Sequence, residues 1–394
     1  MVLAVVGGAV DEAGLSPREP QSKPGAPAPA EALPASARLL SRERLGRRLS
    51  DLAPGSFAFV MATGIMSIAL ARFGQQPLSL GLLAIAGLGY LVLCVLFVLR
   101  GVWFPRQMWA DTARPERAFA FFTFVAGSNV LALRLDSAGL KDLAAGLAVV
   151  AAAAWLLLAY GILARVVLAA VKPAPPAAVN GTWLIWVVGT QSVSVAVSTL
   201  GLSLGLEARL VALVAVSLWA FGALLYLLLM GIILARLVLA PLDPVHATPP
   251  YWITMGATAI TVVAGSTLLR LPQYLPSLLA ARSTVEGMTL FLWAFGTWWF
   301  PFLILLTIWR YAKLSAPKFE ETLWSMVFPL GMYAVATDDY GRAARLLLLG
   351  DIARIEIWLA AAAWVAVAIW MAISWFSPLW PSSRRPRRGP GGMS

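Results

Sequence analysis

Apolar residues run in blocks of about 20 along most of this chain, separated by short stretches rich in Pro, Arg and Asp. A block of that length crosses a bilayer hydrocarbon core of about 30 Å. Ten blocks follow one another, at about 54–72, 78–100, 118–135, 143–168, 181–204, 208–237, 251–270, 285–309, 322–338 and 353–377. They alternate in chemistry. Even-numbered spans are uniformly greasy, as in LAIAGLGYLVLCVLFVL at 83–99. Odd-numbered spans carry small and polar residues at mid-depth: MATGIMS (61–67), AGSNV (126–130), VGTQSVSVAVST (188–199), MGATAITVVAGST (255–267) and FPLGMYAVAT (328–337).

Polar groups are costly against lipid, so the odd spans are expected to face the protein interior. Small residues also let helix backbones approach closely, so packing explains any one of them. Five alternate spans with the same pattern favour an internal polar path. The expected fold is therefore all-α and integral to the membrane. It has ten transmembrane helices as five hairpins, each an inner helix followed by an outer one. The inner five form a ring around an axial pore.

Composition agrees. The 394 residues are 60% hydrophobic and 12% charged, with mean hydropathy +0.80, against about 25% charged in a soluble domain. The net charge of +11 reflects topology rather than a nucleic-acid surface, because no patch combines basic and aromatic residues. Of the 30 basic residues, 21 lie in the tails and the loops that share a side with them, which makes that side, and both termini, cytoplasmic in a plasma or inner membrane. The expected domains are a flexible N-terminal tail at 1–50, the membrane domain at 51–377 and a basic C-terminal tail at 378–394. A basic interfacial turn is expected at 38–48, from Arg38 to Arg48. Residues 1–10 lack the basic start of a signal peptide.

Reactive chemistry is sparse. One cysteine, Cys94, and one histidine, His246, far apart, give no basis for a disulfide or a thiolate or imidazole metal site. No GxxxxGK[ST] occurs and no nucleophile–base set can be assembled, so no enzyme, no cofactor and no metal is expected. By these boundaries no charged residue lies at mid-depth; Arg134, Arg354 and Glu356 fall near span ends. A wall without buried carboxylates favours a passive path over a proton-coupled one. Basic loops on the cytoplasmic side would concentrate anions there. The hydroxyls and amides of Thr63, Ser128, Asn129, Thr190, Gln191, Ser192 and Thr258 are the candidate anion donors, with a bond to a neighbouring helix as the competing reading of each.

Span 9 holds WSMVFPLGMYAVATDD (324–339). Pro329 removes the N–H that would bond the Ser325 carbonyl, so a bend is expected there. Residues 321, 325, 328, 332 and 335 share a face. Phe328 either fills the gap left by the bend or projects into the axial path.

Five segments carry a resemblance: PGSFAFVMATGIMSIA (54–69), NGTWLIWVVGTQSVSV (180–195), PPYWITMGATAIT (249–261), WAFGTWWFPFLILLTIWR (293–310) and WSMVFPLGMYAVAT (324–337). Over about 50–377 the chain resembles the tellurite-resistance/dicarboxylate transporter family, which includes TehA-like proteins, fungal malate and sulfite carriers and plant slow anion channels. The resemblance implies quasi-fivefold symmetry around a central pore, a homotrimer with one pore per subunit, and a small anion as substrate. It implies that Phe328, beside Pro329, is the gate. The pore is then expected to be lined by Thr63, Gly64, Gly127, Ser128, Asn129, Gly189, Thr190, Gln191, Gly256, Thr258, Gly331 and Met332. Expected partners are membrane lipid and the anion, with no nucleic acid. The alternatives are a proton-coupled carrier of C4-dicarboxylates or sulfite, and a tellurite-resistance efflux protein.

Overall fold

Helices account for all the regular structure among the described residues, which in this computed structural model are 46–169, 179–271, 276–315 and 318–376. The expected C-terminal tail, Lys172, and the N-terminal tail up to residue 45, with Arg38, Arg42 and Arg44, lie outside them. Ten long helices follow in order: α1 (Ala58–Arg72), α2 (Gln76–Trp103), α3 (Phe122–Ser137), α4 (Lys141–Val167), α5 (Ile185–Leu200), α6 (Ala208–Leu239), α7 (Ile253–Leu268), α8 (Pro276–Lys313), α9 (Trp324–Ala344) and α10 (Leu347–Phe376). They belong to one unit that begins at Leu49.

Nine described helices are long and apolar enough to cross a membrane. The tenth, α9, has 21 residues and reaches about 31 Å at 1.5 Å per residue. Its apolar run is cut by Asp338 and Asp339. The sequence pattern ends span 9 at 338, yet the helix continues to Ala344 and turns only at Arg345, in the left-handed conformation (φ 58°). It can do so because arginines neutralise both carboxylates inside the structure: Arg72 and Arg270 each lie 2.7 Å from Asp339, and Arg342 lies 3.0 Å from Asp338.

Inner and outer helices separate as the alternation predicts. Over an apolar 18-residue stretch of each, 78–94% of the residues are buried in α1, α3, α5 and α7 with their lead-in turns, and only 11–44% in α2, α4, α6, α8 and α10. The inner helices touch in a closed ring, α1 to α3 to α5 to α7 to α9 and back to α1. Each inner helix starts in a 3-10 turn: Pro54–Phe57, Phe119–Phe121, Gly181–Leu184, Pro249–Trp252 and Glu321–Leu323. From there each runs as unbroken α-helix, and α9 continues through Pro329. No inner helix is interrupted at mid-depth to aim free backbone N–H groups along the axis.

Each outer helix also docks on the inner helix of the next hairpin. Tyr90 of α2 bonds Ser128 of α3 (2.9 Å), Trp155 of α4 donates to Thr190 of α5 (2.9 Å), and Trp219 of α6 donates to the Thr261 carbonyl of α7 (3.2 Å). Trp293 of α8 donates to Thr337 of α9 (3.1 Å), and Trp364 of α10 donates to Thr63 of α1 (3.1 Å), which closes the circle. The same contact made five times around one axis is the physical content of the quasi-fivefold symmetry. Bonds of this kind remove hydroxyls and indoles from contact with lipid.

Candidate functional site: two cavities on the ring axis

Two cavities lie at opposite ends of the inner helices, and each of the five, or the 3-10 turn that leads into it, contributes to both. At the end where the helices begin, a cavity of about 150 Å³ is bordered by Gly55, Thr123, Thr182, Pro250 and Ser325. At the other end a cavity of about 370 Å³ is bordered by Ile65, Val130, Ser192, Ile260 and Met332, and widens to Arg72, Arg134 and Arg270. On α9, Ser325 borders the first and Met332 the second. Phe328 lies between them on the same face, borders neither, and is 1% exposed.

Glycines set how closely the ring can close. A Cβ on Gly256 would stand 2.8 Å from the Pro329 ring, and one on Gly331 would stand 3.0 Å from both Ile65 and Met66. Gly64 faces Val130, Gly127 faces Phe57 and Val60, and Gly189 faces the Phe122 ring. These five glycines sit in the seams between inner helices.

Most of the mid-depth polar residues expected on the axis turn elsewhere. Thr63, Ser128 and Thr190 bond the outer-helix aromatics described above. Gln191 donates to the Trp219 carbonyl of α6 (3.0 Å). Thr258 faces Gly296 of α8 and donates to its own helix at Met255 (2.6 Å). Asn129 donates to Ser192 (3.0 Å) across the α3–α5 seam, and its buried Oδ1 has no hydrogen-bond partner among the described residues. Met332 and Ser192 border the larger cavity, at the helix ends and here named the outer one. The wall of that cavity is thus largely apolar, drawn from the spacings 65/68, 130/133, 260/263 and 332/335. That one-face periodicity was the sequence signal for it; the hydroxyls drew attention because polar groups in apolar spans stand out.

Charge is also distributed differently from the loop count. The cavity at the helix starts carries Glu116, Arg117 and Glu321, and three arginines of the loops at that end are paired: Arg100 and Arg117 with Asp111 (2.6 and 3.3 Å), Arg310 with Glu320 (2.5 Å). The arginine-rich cavity is the one at the helix ends, where three arginines meet one carboxylate, Asp136. Three of the nine basic residues on the poorer side converge there. Glu356, expected near a span end, lies nine residues into α10, about 14 Å at 1.5 Å per residue. Its buried Oε2 has no hydrogen-bond partner among the described residues.

A closed ring of five inner helices, clad by five outer ones and holding two axial cavities, defines a helical membrane transport protein. The chain belongs to the SLAC1 family, described as voltage-dependent anion channel, whose pattern matches residues 51–375. Two uncharacterized transporters of Methanocaldococcus jannaschii are similar: one is 25% identical over 288 residues, covering 71% of this chain and 82% of that protein, and the other is 24% identical over 295 residues, covering 73% and 83%. An uncharacterized membrane protein of Mycobacterium tuberculosis is 42% identical over 139 residues, 35% of this chain and 70% of that protein. Family membership carries anion transport as the general activity.

Proposed function

We propose that this protein conducts small anions passively through the ring axis, with Phe328 as the gate. The observation that carries the reading is the position of Phe328 along α9 between two cavities that every inner helix or its lead-in turn borders. A short apolar constriction between wider cavities that open toward charged residues is a recognised way to hold a pore shut by dewetting. Pro329 and Gly256 fix the back of that segment, so the ring moves by its own side-chain rotation or by a shift of α9.

The pore is built by one subunit, since one chain closes the ring; we propose three such subunits per assembly, in a plasma or inner membrane with both termini cytoplasmic. The test is purified protein in planar bilayers, with reversal potentials measured across chloride, nitrate, sulfite and malate. Reversal potentials that follow the anion gradient support the reading; cation selectivity, or no current from folded protein under any gradient, overturns it.

Glu356 favours a second reading, a carrier of dicarboxylate or sulfite coupled to protons, because it places a titratable group inside α10 against the gating helix. Uptake into proteoliposomes that responds to an imposed pH gradient and loses that response in Glu356→Gln supports the carrier. Uptake indifferent to the gradient rules it out.

A further inference from the structure

Arg134 is 3% exposed and borders the outer cavity. Its partners are hydroxyls. Nε donates to Ser67 (3.0 Å) and Ser79 (3.1 Å), Nη2 to Ser79 (2.9 Å) and Nη1 to Ser137 (3.0 Å). Ser67 and Ser79 donate their own hydrogens to each other's carbonyls, at 2.7 and 2.6 Å. Their oxygens are thereby left as acceptors aimed at the guanidinium. Ser137 donates to the Arg134 carbonyl (2.8 Å) in the same way.

This cradle fixes the side chain without compensating its charge. Among the described residues no carboxylate lies within ion-pair distance of Arg134, whereas its cavity neighbours Arg72 and Arg270 share the single charge of Asp339. A guanidinium has five N–H donors. The bonds above use three, so Nη1 and Nη2 each keep one N–H with no acceptor among the described residues. A buried cation with spare donors, on the wall of a cavity of about 370 Å³, has the form of an anion site.

We propose that Arg134 is an anion-binding site in the outer cavity, selective for small monovalent oxyanions such as nitrate or a monocarboxylate. This inference rests on the anion-transport reading and names where the anion pauses before the Phe328 layer. Two donors on different nitrogens of one planar group suit two oxygens of one planar anion better than a sphere. The one positive charge of Arg134 neutralises one negative charge. The second charge of sulfate or malate would point away from Arg134, toward the apolar wall, Asp136 and the Arg72 and Arg270 guanidiniums already held by Asp339.

The test uses the full chain purified in detergent, melted across a nitrate series at constant ionic strength, with sulfate as the comparison. The parent is expected to gain stability saturably with nitrate and not with sulfate. In Arg134→Lys, which keeps the charge and loses the fork, the half-saturating nitrate concentration should rise about tenfold. An unchanged nitrate response in Arg134→Lys overturns the site, as does an equal response of the parent to sulfate. If the variant does not fold, parent crystals soaked in bromoacetate, a monocarboxylate with an anomalous scatterer, decide. A carboxylate within hydrogen-bond reach of the Arg134 Nη atoms, marked by the bromine signal beside it, supports the site, and an empty cavity at saturating bromoacetate overturns it. Neither readout requires transport. Nitrate binding at Arg134 in a protein that passes no anion therefore sinks the transport reading alone, and anion current with an unshifted nitrate half-saturation in Arg134→Lys sinks the site alone.

Discussion

On the proposed gating, replacing Phe328 by alanine removes the side chain that keeps the two cavities apart. Ser325 and Met332, which border them, are seven residues apart on α9, about 10 Å along the helix axis at 1.5 Å per residue. The occluded segment is therefore about one side-chain layer thick, and truncation should join the cavities into one wet path. Every 1.36 kcal/mol taken off the barrier to passage raises the rate about tenfold. An increase of at least about tenfold in anion current therefore asks for only about 1.4 kcal/mol from the lost ring. Stability moves the other way. Truncating a fully buried phenylalanine costs about 3–5 kcal/mol where the void stays dry, and the loss should be smaller here if water from the cavities fills the gap. The assay is single-channel recording in planar bilayers, paired with thermal melting of the same preparation. Phe328→Leu, which keeps most of the bulk, should fall between parent and Phe328→Ala. A folded Phe328→Ala protein with no more anion current than the parent refutes the gate.

Three further outcomes follow from the packing. Thr190→Val deletes the acceptor for the Trp155 indole and should cost about 0.6–1.7 kcal/mol, the range for bonds between membrane helices, with anion reversal potentials unchanged; a selectivity change would show that Thr190 faces the axis after all. Asp339→Asn should lower the melting temperature, because Asp339 is 1% exposed and is gripped by Arg72 and Arg270; those arginines are themselves partly exposed, so the loss should stay nearer 1 than 5 kcal/mol, and an unchanged melt would show the triad to be idle. Gly256→Ala places a methyl 2.8 Å from the Pro329 ring, a contact a rigid ring relieves only by helix displacement; overpacking of this kind costs about 1–3 kcal/mol, and because the strain falls behind Phe328, basal anion current should change with it. Wild-type melting and current in Gly256→Ala would mean that the α7–α9 seam gives way freely.

Much of the architecture was legible before any coordinates. Span lengths follow from bilayer thickness, and the alternation of greasy and small/polar spans separates outer from inner helices because only the interior tolerates bare polar groups. The face shared by 321, 325, 328, 332 and 335 followed from helix periodicity alone. The site was less legible. Thr63, Ser128 and Thr190 read as pore donors because a sequence shows that a hydroxyl lies at mid-depth and not which way it points. Their partners, Trp364, Tyr90 and Trp155, lie on other helices, 35 to 301 residues away in sequence.

By itself, then, the sequence determined the class: a membrane protein of paired helices with five destined for the interior, and a Phe-Pro step on one of them. Those are local properties of length, hydropathy and backbone chemistry. Only the tertiary structure decided what surrounds the axis. Ring closure sends the hydroxyls outward to the cladding helices, seats glycines in the seams and leaves apolar side chains around Phe328. It also brings Arg72, Arg270 and Asp339 together while leaving Arg134 with hydroxyls alone. Which charge is spent and which is free depends on distances across the fold, and no spacing along the chain encodes them.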